Sequence, residues 1–233
     1  MATTSHARIG ILFLHALPLD GRMWSAQVDL LPDSTYAPTL YGHGDTMREW
    51  ATAALSPVKE ERMIVVGNSV GGSCALEVAS IAPERVAALV LIGTNARHRP
   101  NPELHASALH ILEQAGVEAA WATFWNPLFA DSNAEARSEA LQLALSHPSE
   151  DIARGVSVFH TRPDREALLS KLEIPVVFVT GADDTAPGPE SSARQTGLTR
   201  NGRLHVIEDC GHYVPMERPE AFNAILRDVI GGV

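Results

Sequence analysis

The sequence predicts an α/β fold: a mainly parallel sheet of about six strands, with one long helical insertion. Three features carry that reading. Short runs of β-branched and apolar residues recur, continuous rather than alternating, as strands covered on both faces must be. Helical patterns stand between them, which makes βαβ units and a parallel sheet. A stretch of about seventy residues then breaks the rhythm and offers only helices.

In chain order, residues 9–14 read as the first strand and 23–31 as a helix. Residues 36–40 read as a weak strand, 47–55 as a helix, 63–66 as a strand and 71–81 as a helix. Residues 86–92 complete this half as a strand. The insertion opens on the breakers Arg99-Pro100-Asn101-Pro102. Helices are expected there at 103–114, 117–124, 134–146 and 152–160, punctuated by Gly116, Asn126-Pro127 and His147-Pro148. A strand at 176–180, a helix at 191–197, a strand at 204–207 and a helix at 221–230 close the pattern. The expected division is a core made of residues 1–95 and 166–233, with 96–165 as a helical cap lying on the sheet.

Composition excludes several functions. The 233 residues suffice for one domain with an insertion and a sizeable core. A net charge of −10 lacks the basic surface that non-specific nucleic-acid binding needs. The run 9–14 is too short to span a membrane and is followed by no cleavage-site pattern, so a cytoplasmic protein is expected, free of nucleic-acid and membrane partners. Two cysteines, Cys74 and Cys210, are too few for a disulfide scaffold. The two lysines, Lys59 and Lys171, lie in no motif, which leaves little for Schiff-base chemistry.

The sharpest motif is Gly67-Asn68-Ser69-Val70-Gly71-Gly72, set between an expected strand and an expected helix. A turn that tight strains its central residue and requires small neighbours, which Gly67 and Gly71 supply. This is the setting of a nucleophile elbow, with the Ser69 hydroxyl lifted above the sheet edge. Phosphate-loop readings fail, because neither a GK[ST] ending nor GxGxxG is present.

A serine nucleophile needs a base. Of the ten histidines, His212 in Asp209-Cys210-Gly211-His212 follows the last expected strand, at the functional edge of a parallel sheet. His15 suits loop shaping, and His43 the ordering of a Gly-His-Gly turn. His98, His105, His110, His147 and His160 fall in the insertion, where solvated side chains are expected. The orienting acid is assigned to Asp184, with Asp183 as the second choice. The end of the strand after the nucleophile helix, Gly93-Thr94-Asn95, holds no carboxylate. An oxyanion hole needs two N–H groups; Val70 after the nucleophile is one, and Leu17 after the first strand is expected as the other, ahead of Ala16. Trp121, Phe124, Trp125 and Phe129 cluster in the insertion; Trp125 and Phe129 are candidate substrate contacts, or anchors of the insertion on the core. His98, His105 and His110 have the wrong spacing for helical metal ligands, and no metal or cofactor is expected.

Together these pieces resemble the α/β-hydrolase superfamily. The matching segments are Leu14-His15-Ala16-Leu17-Pro18 with Trp24, Tyr41-Gly42-His43-Gly44, the elbow, residues 174–181 leading to Asp183-Asp184, Cys210-Gly211-His212, and residues 216–222. The HALPLDGRMW segment and Arg162-Pro163-Asp164 ahead of Ile174-Pro175 look most like 3-oxoadipate enol-lactonase-type carboxylic ester hydrolases. Asn68 before the serine is instead similar to carbon–carbon bond hydrolases of ring-fission products. The sequence departs from the family where His15-Ala16 replaces the usual His-Gly and where the acid before the Gly-His-Gly turn is missing. With the first strand so near the start, the opening antiparallel hairpin is expected to be trimmed away.

The resemblance implies a serine hydrolase that cleaves a small carboxylic ester or lactone through Ser69, His212 and Asp184 and an acyl-enzyme, as a monomer or homodimer. The alternatives are a carbon–carbon hydrolase and, in another class, a hydrolase-like ligand receptor with little turnover.

Overall fold

The structure, a computed structural model, describes residues 9–233. Its sheet holds six strands: β1 (Ile9–Leu14), β2 (Thr35–Tyr36), β3 (Arg62–Asn68), β4 (Val86–Ile92), β5 (Val176–Gly181) and β6 (Gly202–Ile207). Their order is β2-β1-β3-β4-β5-β6, and every pairing is parallel. The register sets Leu14 beside Gly67 and Asn68 beside Ile92. The carboxyl ends of β1, β3 and β4 therefore finish level, and the loops that leave them share one rim.

The continuous apolar runs mark the covered strands. All seven residues of β4 are buried, and β3 is exposed only at its first residue. At the edge, β6 is only partly buried, so its apolar run is shorter. Helices α1 (Met47–Leu55), α2 (Val70–Ile81), α7 (Gly188–Thr196) and α9 (Pro219–Gly231) accompany the sheet. Thr46 and Glu49 form a reciprocal capping box that starts α1. Trp24, Phe13 and Phe222 are fully buried, and the first two rings stack with centroids 4.8 Å apart. Each such ring contributes about 2–3 kcal/mol by leaving water.

Between β4 and β5 the chain is helical, with α3 (Pro102–Ala120), α4 (Ala134–Leu145), α5 (Ser149–His160) and the single turn α6 (Glu166–Leu169). The expected break at Gly116 is a kink (φ 79°, ψ −173°) after which helical bonding resumes. The expected helix at 117–124 is instead the end of α3 followed by a wide π turn, Trp121–Trp125. Two further segments differ from expectation. Residues 23–31 are two 3₁₀ turns, Gly21–Trp24 and Val28–Leu30. Gln27 between them is buried, its amide donating to Asn223 Oδ1 at 2.9 Å, so contacts to α9 override a helical period. The strand expected at 36–40 stops at Tyr36. Pro38 has no ladder donor, and the Leu40 amide donates to His15 Nε2 at 2.8 Å instead.

Candidate active site

Ser69 stands at the junction of β3 and α2 with φ 57° and ψ −116°, a conformation a non-glycine residue adopts only when its surroundings enforce it. The glycines around it make that possible. A Cβ on Gly67 would lie 2.2 Å from the Gly71 carbonyl oxygen, and one on Gly71 would lie 2.0 Å from that of Leu14. The second close approach presses the start of α2 against the loop leaving β1. The Ser69 amide donates to the Ile92 carbonyl at 2.8 Å, which ties the elbow to β4.

His212 lies on the loop after β6 and is buried. Its amide donates to the Leu128 carbonyl at 2.8 Å. The amides on either side, Gly211 and Tyr213, donate to the two carboxylate oxygens of Glu217 at 2.9 and 3.0 Å, within α8 (Val214–Glu217). Glu217 also accepts from the Ala130 amide and from Asn133 Nδ2, so one buried carboxylate holds both the histidine loop and the helical insertion. Asn68 Nδ2 donates to the His212 carbonyl at 3.2 Å and to that of Ile92 at the same distance. The residue before the serine therefore braces the histidine.

His212 Nδ1 sits 3.1 Å from both oxygens of Asp184. Asp183, the alternative acid, is exposed, and its amide donates to the Cys210 carbonyl. Burial works against ionisation of Asp184, but the facing imidazole and the Ala186 amide outweigh it and hold the carboxyl below its ordinary range. A carboxylate accepts only, so Nδ1 carries the proton that faces Asp184. Gly93, with φ +51°, leaves the space under this pair.

Leu17 lies on the loop leaving β1 and Val70 opens α2, two segments that touch where Gly71 meets the Leu14 and His15 carbonyls. The Val70 amide belongs to the first turn of α2, where N–H groups have no intrahelical acceptor. Among the described residues the Leu17 amide donates to nothing, while its carbonyl accepts the Tyr213 hydroxyl at 2.8 Å. His15 shapes this loop: Nε2 accepts the Leu40 amide, so Nδ1 carries the proton and donates to the Ala16 carbonyl. Its burial drives the pKa down to about 4, which keeps the ring neutral.

Leu17, Ser69, His212 and Tyr213 line one side of a cavity of about 220 Å³. The insertion adds Leu104, Phe124, Trp125, Leu128, Val156 and Phe159 to the lining. Trp125 is thus in the lining, whereas Phe129 stacks on the Tyr213 ring 4.4 Å away and lies outside it. The histidines of the insertion are less solvated than expected. His160 reaches the cavity and stacks on His105, and His147 bonds to Asp20. Burial first, then the neighbouring His105 and Arg162, push the His160 pKa down to about 4. A larger open depression of about 640 Å³ between α3 and α5 contains none of Ser69, His212 and Asp184. No cluster of three or more metal-ligating side chains occurs among the described residues, and no helix there is long and apolar enough to cross a membrane.

The Alpha/beta hydrolase family matches this sequence over residues 11–225, nearly its whole length. The chain is a member of the α/β-hydrolase family. It is 29% identical to a pimeloyl-[acyl-carrier protein] methyl ester esterase of Aromatoleum aromaticum, over 97% of this chain and 99% of that one. A thermophilic esterase from Thermogutta terrifontis superposes with a TM-score of 0.87 at 26% identity, covering 97% of this chain and 90% of the other. The enol-lactonase of Burkholderia xenovorans LB400 superposes at 0.83 with 20% identity, covering 99% and 94%, and shares the fold.

Several supports of this α/β-hydrolase site escape sequence reasoning. Glu217 stands five residues after His212 and reads as an ordinary helix-start acid. Gly93 is visible in the sequence only as a missing carboxylate. Asn68 reads as a substrate signal although its amide is spent on two backbone carbonyls.

Proposed function

We propose that this α/β-hydrolase cleaves carboxylic esters or lactones of small molecules, with Ser69 as nucleophile, His212 as base and Asp184 as its orienting acid. One observation carries the reading: His212 is bonded to Asp184 through Nδ1, and Ser69 and His212 line the same cavity. Ser69 Oγ attacks the substrate carbonyl carbon and its proton passes to His212 Nε2. Asp184 stabilises the imidazolium. The Leu17 and Val70 amides receive the oxyanion, and the tetrahedral adduct expels the alcohol, which takes the proton from Nε2. Water, deprotonated by the same nitrogen, then attacks the acyl-enzyme, and as this second adduct collapses Nε2 returns the proton to Ser69 Oγ and the acid leaves.

Residues 96–165 act as a cap over this site, and their apolar wall takes the hydrocarbon part of the acyl group. The bonds of Asn68 to backbone carbonyls favour a bracing role for that side chain, which leaves ester or lactone cleavage as the better supported chemistry.

The test is labelling with a fluorophosphonate and location of the adduct by peptide mass, together with p-nitrophenyl ester turnover of Asp184→Asn and Asp183→Asn. The expected adduct is on Ser69. Asp184→Asn loses about 10⁴ in kcat and Asp183→Asn stays within about twofold. An adduct elsewhere, or equal loss in both variants, overturns the assignment. A burst of one equivalent without turnover identifies a receptor instead.

A further inference from the structure

A buried carboxylate ties the turn between α4 and α5 to the loop that carries Leu17. Asp20 Oδ1 accepts the Arg22 amide at 2.7 Å, and Oδ2 accepts both Arg22 Nη2 and His147 Nε2 at 2.6 Å. Arg22 Nη2 also reaches Ser146 Oγ at 2.6 Å. Two successive residues of the α4–α5 turn are therefore held by one Asp–Arg unit. The side chains of Asp20 and His147 are only 3% and 14% exposed, although 127 residues separate them in the chain.

The local role of Asp20 leaves this bond unexplained. Capping the 3₁₀ turn Gly21–Trp24 needs only the Arg22 amide. The His147 contact is additional and long-range, and it occurs where α5 is about to cross the Leu17 loop. Two turns further along α5, Gly155 lies against that loop: a Cβ there would stand 2.7 Å from Leu17 Cδ2 and 3.0 Å from Tyr41 Cε1. The Tyr41 ring completes the contact, packed edge-on to His147 at 5.1 Å and tilted against His15 at 5.0 Å. The helix thus approaches Leu17 through its one residue without a side chain, at a spacing set by the turn that Asp20 holds.

Burial opposes a charge on Asp20, but Arg22 and His147 outweigh it and bring the pKa down to about 2, so the acceptor stays anionic. A neutral imidazole with its proton on Nε2 already satisfies it.

We propose that Asp20 and His147 are positioning residues whose bond seats α5 on the Leu17 loop and holds the Leu17 amide in its oxyanion-binding direction. This rests on the assignment of Leu17 as an oxyanion donor. His147 touches no reacting atom and acts through α5 and the loop.

The experiment compares His147→Phe, which keeps an aromatic ring beside Tyr41, with His147→Gln, which restores an N–H donor. On a small p-nitrophenyl ester, His147→Phe is expected to lower kcat about tenfold, less than outright loss of an oxyanion donor, with KM nearly unchanged. The inhibition constant of an arylboronic acid, whose Ser69 adduct places an oxygen at the oxyanion position, rises by the same factor. His147→Gln recovers most of both losses. Wild-type kcat and boronate affinity in His147→Phe, a loss confined to KM, or no recovery in His147→Gln overturns the proposal.

Hydrogen exchange of the Leu19 amide, which donates to the Ala16 carbonyl at 2.9 Å, reads the seating without catalysis. It should quicken in His147→Phe, and unchanged exchange also overturns the proposal. Where His147→Phe does not fold, His147→Leu, which also removes the N–H that Asp20 accepts, is read the same way. A wild type inert to esters and fluorophosphonate sinks the proposed function, while the exchange measurement still decides the seating.

Discussion

A Cβ on Gly93 would stand 2.7 Å from His212 Nδ1 and 3.0 Å from Asp184 Oδ2. The end of β4 therefore forms the floor beneath the histidine–aspartate pair, and its backbone takes a positive φ of 51° to do so. Gly93→Ala should strain the backbone and lift the imidazole together. We expect kcat to fall about 100-fold, as a misplacement near 1 Å does, with a stability loss of about 1–2 kcal/mol. Ester kinetics beside a urea melt check this, and wild-type kcat in a folded Gly93→Ala refutes the close fit.

Glu217 should matter to both stability and rate. Its two oxygens accept N–H groups of Ala130, Gly211, Tyr213 and Asn133. Glu217→Gln turns one acceptor into a donor facing donors, at a cost of about 2–4 kcal/mol. The histidine loop loosens, so kcat falls before the fold is lost. Urea unfolding and kinetics at low temperature separate the two effects; a variant within 0.5 kcal/mol of wild type contradicts the account.

The chain's pattern carried the sheet well where strands are covered on both faces, as in β4, because burial forces a continuous apolar run. It failed at 36–40 and 23–31, where His15 and Asn223, distant in sequence, claim the backbone or side chain. The same contrast runs through the site. The strained turn at Ser69 is legible because such a backbone demands glycines on either side. The identity of the facing acid needed coordinates, since Asp183 and Asp184 are adjacent and only one is turned inward. His147 was illegible for a similar reason: its partner Asp20 lies far away in the chain.

His15 predicts how stability depends on pH. Burial lowers its folded pKa from 6.5 to about 4, so in this window the unfolded chain binds a proton that the folded protein excludes. Stability is then complete above about 6.5 and declines as pH falls toward about 4, by up to about 3 kcal/mol from this residue. His15→Gln should be less stable at neutral pH, having lost a fitted ring, but should show a shallower decline in acid. Urea melts at pH 7 and 4.5 measure both, and equal slopes in the two proteins count against the buried neutral ring.

Trp125 tests the cavity wall. From the π turn that follows α3 it lines the same cavity as Ser69, and it is 8% exposed. A leucine there keeps an apolar surface while enlarging a cavity of about 220 Å³. If the acyl group lies along this wall, Trp125→Leu should move the preferred ester toward longer chains, with about tenfold gains in kcat/KM for each methylene that finds new room. Short esters should lose contact and show a raised KM with little change in kcat, because the wall binds ground state and transition state alike. A panel of p-nitrophenyl esters from acetate to decanoate reads the shift. Phe129→Leu is the internal comparison: Phe129 stacks on Tyr213 outside the lining, so its replacement should lower stability and leave the chain-length optimum where it was. An optimum that moves in Phe129→Leu and stays fixed in Trp125→Leu would place the acyl group elsewhere.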